Sequence, residues 1–295
     1  MRKLRHILPL MLLISTFVAA DQVFGQNAAC KFDDRTLQFI GTPVEQARCL
    51  LRPNRIGGVL GTTLIKLPKP LESLIGKPSH LDRTKLRKYL TTRSISESDI
   101  GGSLDLPLST ATLPNGDRIE ALYFIIHDTS TPYLKDEPFP AEMDNDPLWK
   151  GNKIEIWLKN PVAHVFVNRL GRSVTTTPFN ENVKNGFGTK FARDFLKADA
   201  KGLQIHIELV QPRRRDPEAR GAENDRIAPT PGFSDAQYER LALLYITASA
   251  RRGSWLIPAY HSAIDAGIPD AHDDPQNFDL DRFASVLDKM IKKLR

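Results

Sequence analysis

The sequence predicts an α/β protein, with a mixed central β-sheet flanked by helices and a small N-terminal extension. Three observations predict it. Arg118-Ile-Glu-Ala-Leu-Tyr-Phe-Ile-Ile126 becomes continuously apolar, as a strand buried on both faces does. Leu203-Gln-Ile-His-Ile-Glu-Leu-Val210 alternates, with Leu203, Ile205, Ile207 and Leu209 facing one way and Gln204, His206 and Glu208 the other. Two later stretches, Ser234–Arg251 and Asp279–Leu294, space their apolar residues by threes and fours, the period of a helix with one buried side.

At the N-terminus, Met1-Arg-Lys-Leu-Arg-His6 is a basic segment, and Ile7–Ala20 is an apolar run ending in small residues. That is the pattern of a secretory signal peptide cleaved near Ala20, and the run is shorter than the roughly 20 residues a membrane span needs. The expected mature chain therefore has no membrane span. Export makes a Cys30–Cys49 disulfide the default, since two cysteines in an oxidising compartment pair. The whole chain carries +6, and removing residues 1–20 takes away Arg2, Lys3 and Arg5, leaving +3. That charge is too mild for nucleic acid, and no basic run is interleaved with aromatics. It still favours anionic polymers such as a cell wall.

Residues 21–105 form a region of their own, without a catalytic constellation. Thr42-Pro-Val-Glu-Gln-Ala-Arg-Cys-Leu-Leu51 predicts a helix with Thr42 as N-cap and Pro43 at its first position. Asp82–Leu90 predicts a second short helix, and His80 stands alone as a surface loop residue.

The second region, residues 106–295, opens on the buried strand that ends at His127. Open α/β sheets place their sites at the carboxyl ends of central strands, although a histidine there also serves simply to cap one. Thr129–Lys153, rich in Pro, Asp and Glu, reads as a long covering loop. Val162–Val167 and Arg172–Thr177, joined by a turn at Asn168–Gly171, read as a hairpin. His164, inside its first strand, is expected to be structural. Gln211–Gly232, with Arg213-Arg-Arg215 and four prolines, reads as a mobile insertion whose arginines are solvated or, alternatively, contact an anionic ligand. Ser234-Asp-Ala-Gln237 is a capping box that starts an amphipathic helix with Tyr238, Leu241, Ala242, Tyr245 and Ala248 on one side. The apolar run Trp255–Tyr260 delivers His261 to a strand end, and a Gly/Pro loop brings back His272, Asp273 and Asp274. An imidazole and a carboxylate on one stiff loop suit a divalent metal, zinc above all, with His127 the leading third donor.

In this order, the motifs resemble the zinc-dependent N-acetylmuramoyl-L-alanine amidases of the type-2 amidase family. That fold is shared with phage amidase-type lysozymes and peptidoglycan recognition proteins. The pieces that carry the resemblance are Phe124–Thr129, Ala163–Asn168, Ile205–Leu209, the helix from Ser234, and Tyr260-His-Ser262 through His272-Asp-Asp-Pro275. They span roughly residues 106–295 and leave the N-terminal region uncovered. The resemblance implies that His127, His261 and Asp274 bind zinc and leave a fourth position for water. It implies that Glu208 is the general base, and that His272, where the family often has lysine, stabilises the oxyanion. It makes His164 a structural residue of the site wall. Apart from the resemblance, Asp273 is a candidate carboxylate for holding His272 or a ligand histidine, and Asp128 is a second candidate. Gly188-Thr-Lys-Phe-Ala192 stands near where relatives carry a Trp-His-Ala-Gly-like stretch.

The resulting expectation is an exported amidase acting on peptidoglycan or muropeptides. Its rivals are a non-catalytic binding module of the same fold and a zinc peptidase acting on another amide. A pure binder has no need of three ligands together with Glu208 and His272.

Overall fold

In the computed structural model, which describes residues 29–55, 59–159, 161–182, 188–216, 218 and 227–294, the first region is built from short pieces. The expected leader at residues 1–20 lies outside the described residues. Strands β1 (Phe32–Asp33) and β2 (Gln38–Phe39) pair antiparallel, and helix α1 (Pro43–Leu50) follows. Thr42 caps α1 as the sequence predicts. Its hydroxyl accepts from the Glu45 N–H, and the Glu45 carboxylate accepts from the Thr42 N–H at 2.8 Å. Cys49 on α1 is joined to Cys30 by a disulfide, with Cα atoms 6.1 Å apart. Beyond it come β3 (Asn54–Arg55), β4 (Val59–Leu60), the short α2 (Lys69–Glu72) and α3 (Arg83–Thr91). Asp82 caps α3 by accepting the Thr84 N–H at 2.7 Å.

A hairpin of β5 (Thr110–Thr112) and β6 (Arg118–Glu120) leads into the central sheet. The sheet's strands are β7 (Tyr123–Asp128), β8 (Val165–Val167), β9 (Ser173–Thr175), β10 (Gln204–Leu209) and β11 (Ile257–Tyr260), in the order β11-β7-β10-β8-β9. Four of them run parallel, and β9 returns antiparallel to β8, so the sheet is mixed. All six residues of β7 are buried, which is why its sequence does not alternate. Burial of Tyr123, Phe124, Ile125 and Ile126 supplies about 1.5–3 kcal/mol for each aliphatic or Phe side chain. The β8–β9 turn needs glycine at 171. Its φ is +74°, and an added Cβ would lie 2.7 Å from the Ala236 carbonyl oxygen.

Helices α4 (Lys190–Asp194), α5 (Asp235–Arg252), α6 (His261–Ile264) and α7 (Leu280–Leu294) complete the fold. The expected capping box at Ser234 and Gln237 is present, and Gly253, at φ +79°, ends α5. α5 differs from the amphipathic helix expected. Leu243, Leu244, Ile246, Thr247, Ser249 and Ala250 are buried as well as the predicted stripe, because α5 packs against both β8 and α7. α7 in turn buries Phe283, Ala284, Leu287, Met290, Ile291 and Leu294. No helix among the described residues is long and apolar enough to cross a membrane.

Residues of the first region, such as Leu50, Leu71 and Leu90, lie in the same buried cluster as the sheet. The Tyr123 hydroxyl ties the two together: it donates to Gln46 Oε1 at 2.7 Å and accepts the Phe39 N–H at 2.8 Å. The covering segment after β7 has a small core of its own, Met143 and Trp149 against Val210. It is pinned by an ion pair between Asp144 and the fully buried Arg169.

Candidate metal centre

Parallel strands deliver their carboxyl ends to one edge of a sheet, and the register here sets which residues meet. Glu208 on β10 lies beside His127 on β7, and Tyr260 on β11 beside Ile126, so His261 follows at the level of His127. His261 is the first residue of α6, and the loop after α6 returns with Asp274. All three of His127, His261 and Asp274 are buried.

Their donor atoms converge. His127 Nδ1 is 2.9 Å from His261 Nδ1, and Asp274 Oδ1 is 2.9 Å from His261 Nδ1. Asp274 Oδ2 is 3.5 Å from His127 Nδ1 and accepts the Asp128 N–H at 3.2 Å. One donor atom from each residue lies within 4.8 Å of the others. Two imidazole nitrogens and one carboxylate oxygen are a donor set that zinc accepts. The distal nitrogen of each histidine is already engaged, His261 Nε2 by Asp265 Oδ2 at 2.8 Å and His127 Nε2 by His206 Nδ1 at 3.0 Å. Each ring therefore has its Nδ1 aimed at the shared point. Glu208 Oε1 stands 3.9 Å from His127 Nδ1, and Glu208 Oε2 is buried with no hydrogen-bond partner. The residues fit a divalent ion.

The charges follow from burial and proximity. Burial pushes His127 down to about 4, helped by neighbouring His261. Burial works the same way on His261, but Asp274 and Asp265 outweigh it and raise that imidazole to about 10. Asp274 and Asp265 thus favour a proton on His261 over one on His127. Burial opposes ionisation of Asp274 too, yet His261 and His127 hold it well below the carboxylate range. Glu208 behaves oppositely. Burial, with Asp274 and Asp128 adding repulsion, lifts it well above that range.

His272 sits at the rim, with 60% of its side chain exposed, its Nδ1 3.6 Å from Asp274 Oδ1 and its ring 4.7 Å from that of His261. It borders an open cavity of about 420 Å³ floored by Arg213 and Asp274 and flanked by Ser130 and Tyr133. His164 spends both ring nitrogens on backbone: Nε2 faces the Glu181 carbonyl at 3.1 Å, and Nδ1 accepts the His206 N–H at 3.0 Å. His80 lies apart, in a surface cavity beside Lys77 and Trp255.

Three residues were missed from sequence. Asp265, rather than Asp273 or Asp128, is the carboxylate on the outer nitrogen, Nε2, of His261. Its signal was legible, because four residues separate it from His261 at the start of a helix. It also accepts the N–H groups of Lys190 and Phe191, both at 2.8 Å, and so ties α4 to the site. His206 was placed on the face it shares with Glu208, but without a role. Arg213 was expected in solvent, yet it is 3% exposed and paired with Asp128 at 2.7 Å, because the turn 130–135 hydrogen-bonds along it. Asp128 also accepts the Gln276 N–H at 3.0 Å, so the Arg213–Asp128 pair anchors the loop that carries Asp274. Asp273 accepts from Gln276 Nε2 at 2.6 Å and faces Arg213 at 3.6 Å.

No protein-family model matches the chain, and no curated protein does. Among solved structures, a crystal structure of a selenomethionine AmpD derivative matches with a TM-score of 0.36 and 20% identity, over 64% of this chain and 98% of that one.

Proposed function

We propose that the protein is an exported zinc-dependent amide hydrolase that cleaves the bond between N-acetylmuramic acid and L-alanine in peptidoglycan or muropeptides. The observation that carries the hydrolase reading is the convergence of His127, His261 and Asp274 beside the Glu208 carboxylate, whose Oε2 is buried without a hydrogen-bond partner. The motif order resembling type-2 amidases supports the choice of bond, and the basic and apolar leader supports export.

His127 and His261 would hold the ion through Nδ1, and Asp274 through its carboxylate. Zinc supplies a Lewis acid that polarises a carbonyl and acidifies water. The remaining work belongs to the chain. Glu208, held high by burial and by Asp274 and Asp128, is a carboxylate that accepts a proton readily and returns it to a leaving amine. Such a proton shuttle is worth typically ~10²–10⁴-fold in rate. His272, on the rim 3.6 Å from Asp274 Oδ1, would donate to the carbonyl oxygen of a substrate lying in the 420 Å³ cavity. Arg213, paired with Asp128, lines that cavity beside Asp274.

The test is purified mature protein on isolated peptidoglycan, with and without a chelator, and products identified by mass. Release of peptides with a free L-alanine amine, lost on chelation and restored by zinc, is the expected result. An identical mass profile in all samples refutes the hydrolase reading.

A further inference from the structure

The metal reading leaves a question about His127 that its neighbours answer. For Nδ1 to present a lone pair to a cation, the ring proton of His127 must sit on Nε2. That nitrogen is 3.0 Å from Nδ1 of His206, which lies two residues before Glu208 on the same face of β10. His127 Nε2–H then donates to His206 Nδ1, and His206 keeps its own proton on Nε2. The His206 ring is boxed in. It is 2% exposed, its backbone N–H donates to His164 Nδ1 at 3.0 Å, and its carbonyl accepts the His164 N–H at 3.0 Å. Gly188 lies against its far edge, where an added Cβ would come within 2.4 Å of Cε1 and 2.6 Å of Nε2.

Resting on the metal reading, we propose that His206 is a positioning residue: its Nδ1 accepts the Nε2 proton of His127 and thereby aims His127 Nδ1 at the cation. The two histidines of the centre are supported by unlike partners. His261 leans on the carboxylate of Asp265, whereas His127 leans on a neutral imidazole. A neutral acceptor suits a place two residues from Glu208 on β10, because Asp274 and Asp128 already repel charge on that carboxylate. It orients the ring without adding a third negative charge beside Glu208. Outer partners of this kind typically change metal affinity by ~10–100-fold when removed.

The experiment measures zinc affinity of the purified mature protein by competition with a chromophoric chelator, and records the visible spectrum of the cobalt-substituted protein. The variants are His206→Leu and His206→Asn, each checked for native near-ultraviolet circular dichroism. His206→Leu, which cannot accept a proton, is expected to lose ~10–100-fold in affinity and to alter the cobalt bands. His206→Asn, whose Oδ1 stands at the position of Nδ1 and can accept from His127 Nε2, is expected to recover most of that loss. An Asn variant no better than Leu overturns the role. If His206→Leu does not fold, His206→Asn decides the matter: affinity and cobalt bands near wild type are expected, and a loss as large as ~10–100-fold overturns the role. Wild-type protein that binds neither ion overturns the metal reading itself, whereas strong wild-type binding matched by His206→Leu overturns only the positioning role.

Discussion

Replacing Arg213 by methionine removes one half of a buried ion pair without shortening the side chain greatly. Arg213 has 3% of its side chain exposed and Asp128 none, with Nη2 2.7 Å from Oδ2. Burial pushes the Asp128 carboxyl up, and Arg213 pulls it back toward ionisation. Without the guanidinium, Asp128 is left as an uncompensated buried charge, for which the usual cost is about 3–5 kcal/mol. The Ser130 and Gln276 N–H groups still donate to it at 2.9 and 3.0 Å, so the lower end of that range applies. At about 2–4 °C per kcal/mol for a chain of this size, Arg213→Met should melt roughly 10 °C below wild type. Urea denaturation at pH 7 measures the free energy directly. Adding Asp128→Asn should recover part of the loss, because a neutral amide tolerates the site without its partner. A single variant within about 1 kcal/mol of wild type, or a double variant less stable than the single, refutes the argument that this pair anchors the loop of Asp274.

Three further outcomes are expected. Burial lowers His164 from 6.5 to about 4, so the unfolded chain binds its proton first on acidification. Its contribution is complete above about pH 6.5 and falls away toward pH 4, reaching about 2 kcal/mol of lost stability by pH 5, and His164→Gln should flatten that part of the urea profile. Glu208→Gln should keep zinc affinity within a few-fold while lowering peptidoglycan turnover by ~10²–10⁴-fold, which separates proton transfer from metal holding. Opening the Cys30–Cys49 link, which spans 19 residues, by the double serine variant should cost about 3 kcal/mol in urea denaturation.

The sheet was legible because burial writes itself into composition. The unbroken apolar run of Tyr123–Ile126 marked a strand covered on both faces, and the alternation of Leu203–Leu209 marked which way Glu208 would point. The caps at Thr42 and Ser234 were equally plain, since each follows from a side chain bonding to an amide three residues on. α5 misled, because an amphipathic stripe of Tyr238, Leu241 and Tyr245 does not reveal that a second helix covers the opposite side. Arg213 misled for a related reason. A triple-arginine run beside prolines carries no local sign of Asp128, which lies 85 residues away. His206 had its face but not its partner, since the contact with His127 depends on β10 and β7 lying side by side in parallel.

The amide of Asn54, in the hairpin just past the disulfide, hydrogen-bonds to the carbonyl of Asp273, immediately before Asp274. The contact bridges 219 positions of chain. A recombinant product cropped to begin at Leu106 would retain all five proposed site residues and still lose this buttress, together with Gln46 behind Tyr123. Such a truncation would uncover apolar surface on β11 that α1 now covers, and would leave the loop of Asp274 held by Asp128 and Ser262 without Asn54. Workers trimming the polypeptide for crystallisation or assay should therefore expect the shortened form to be less stable even where it remains in solution.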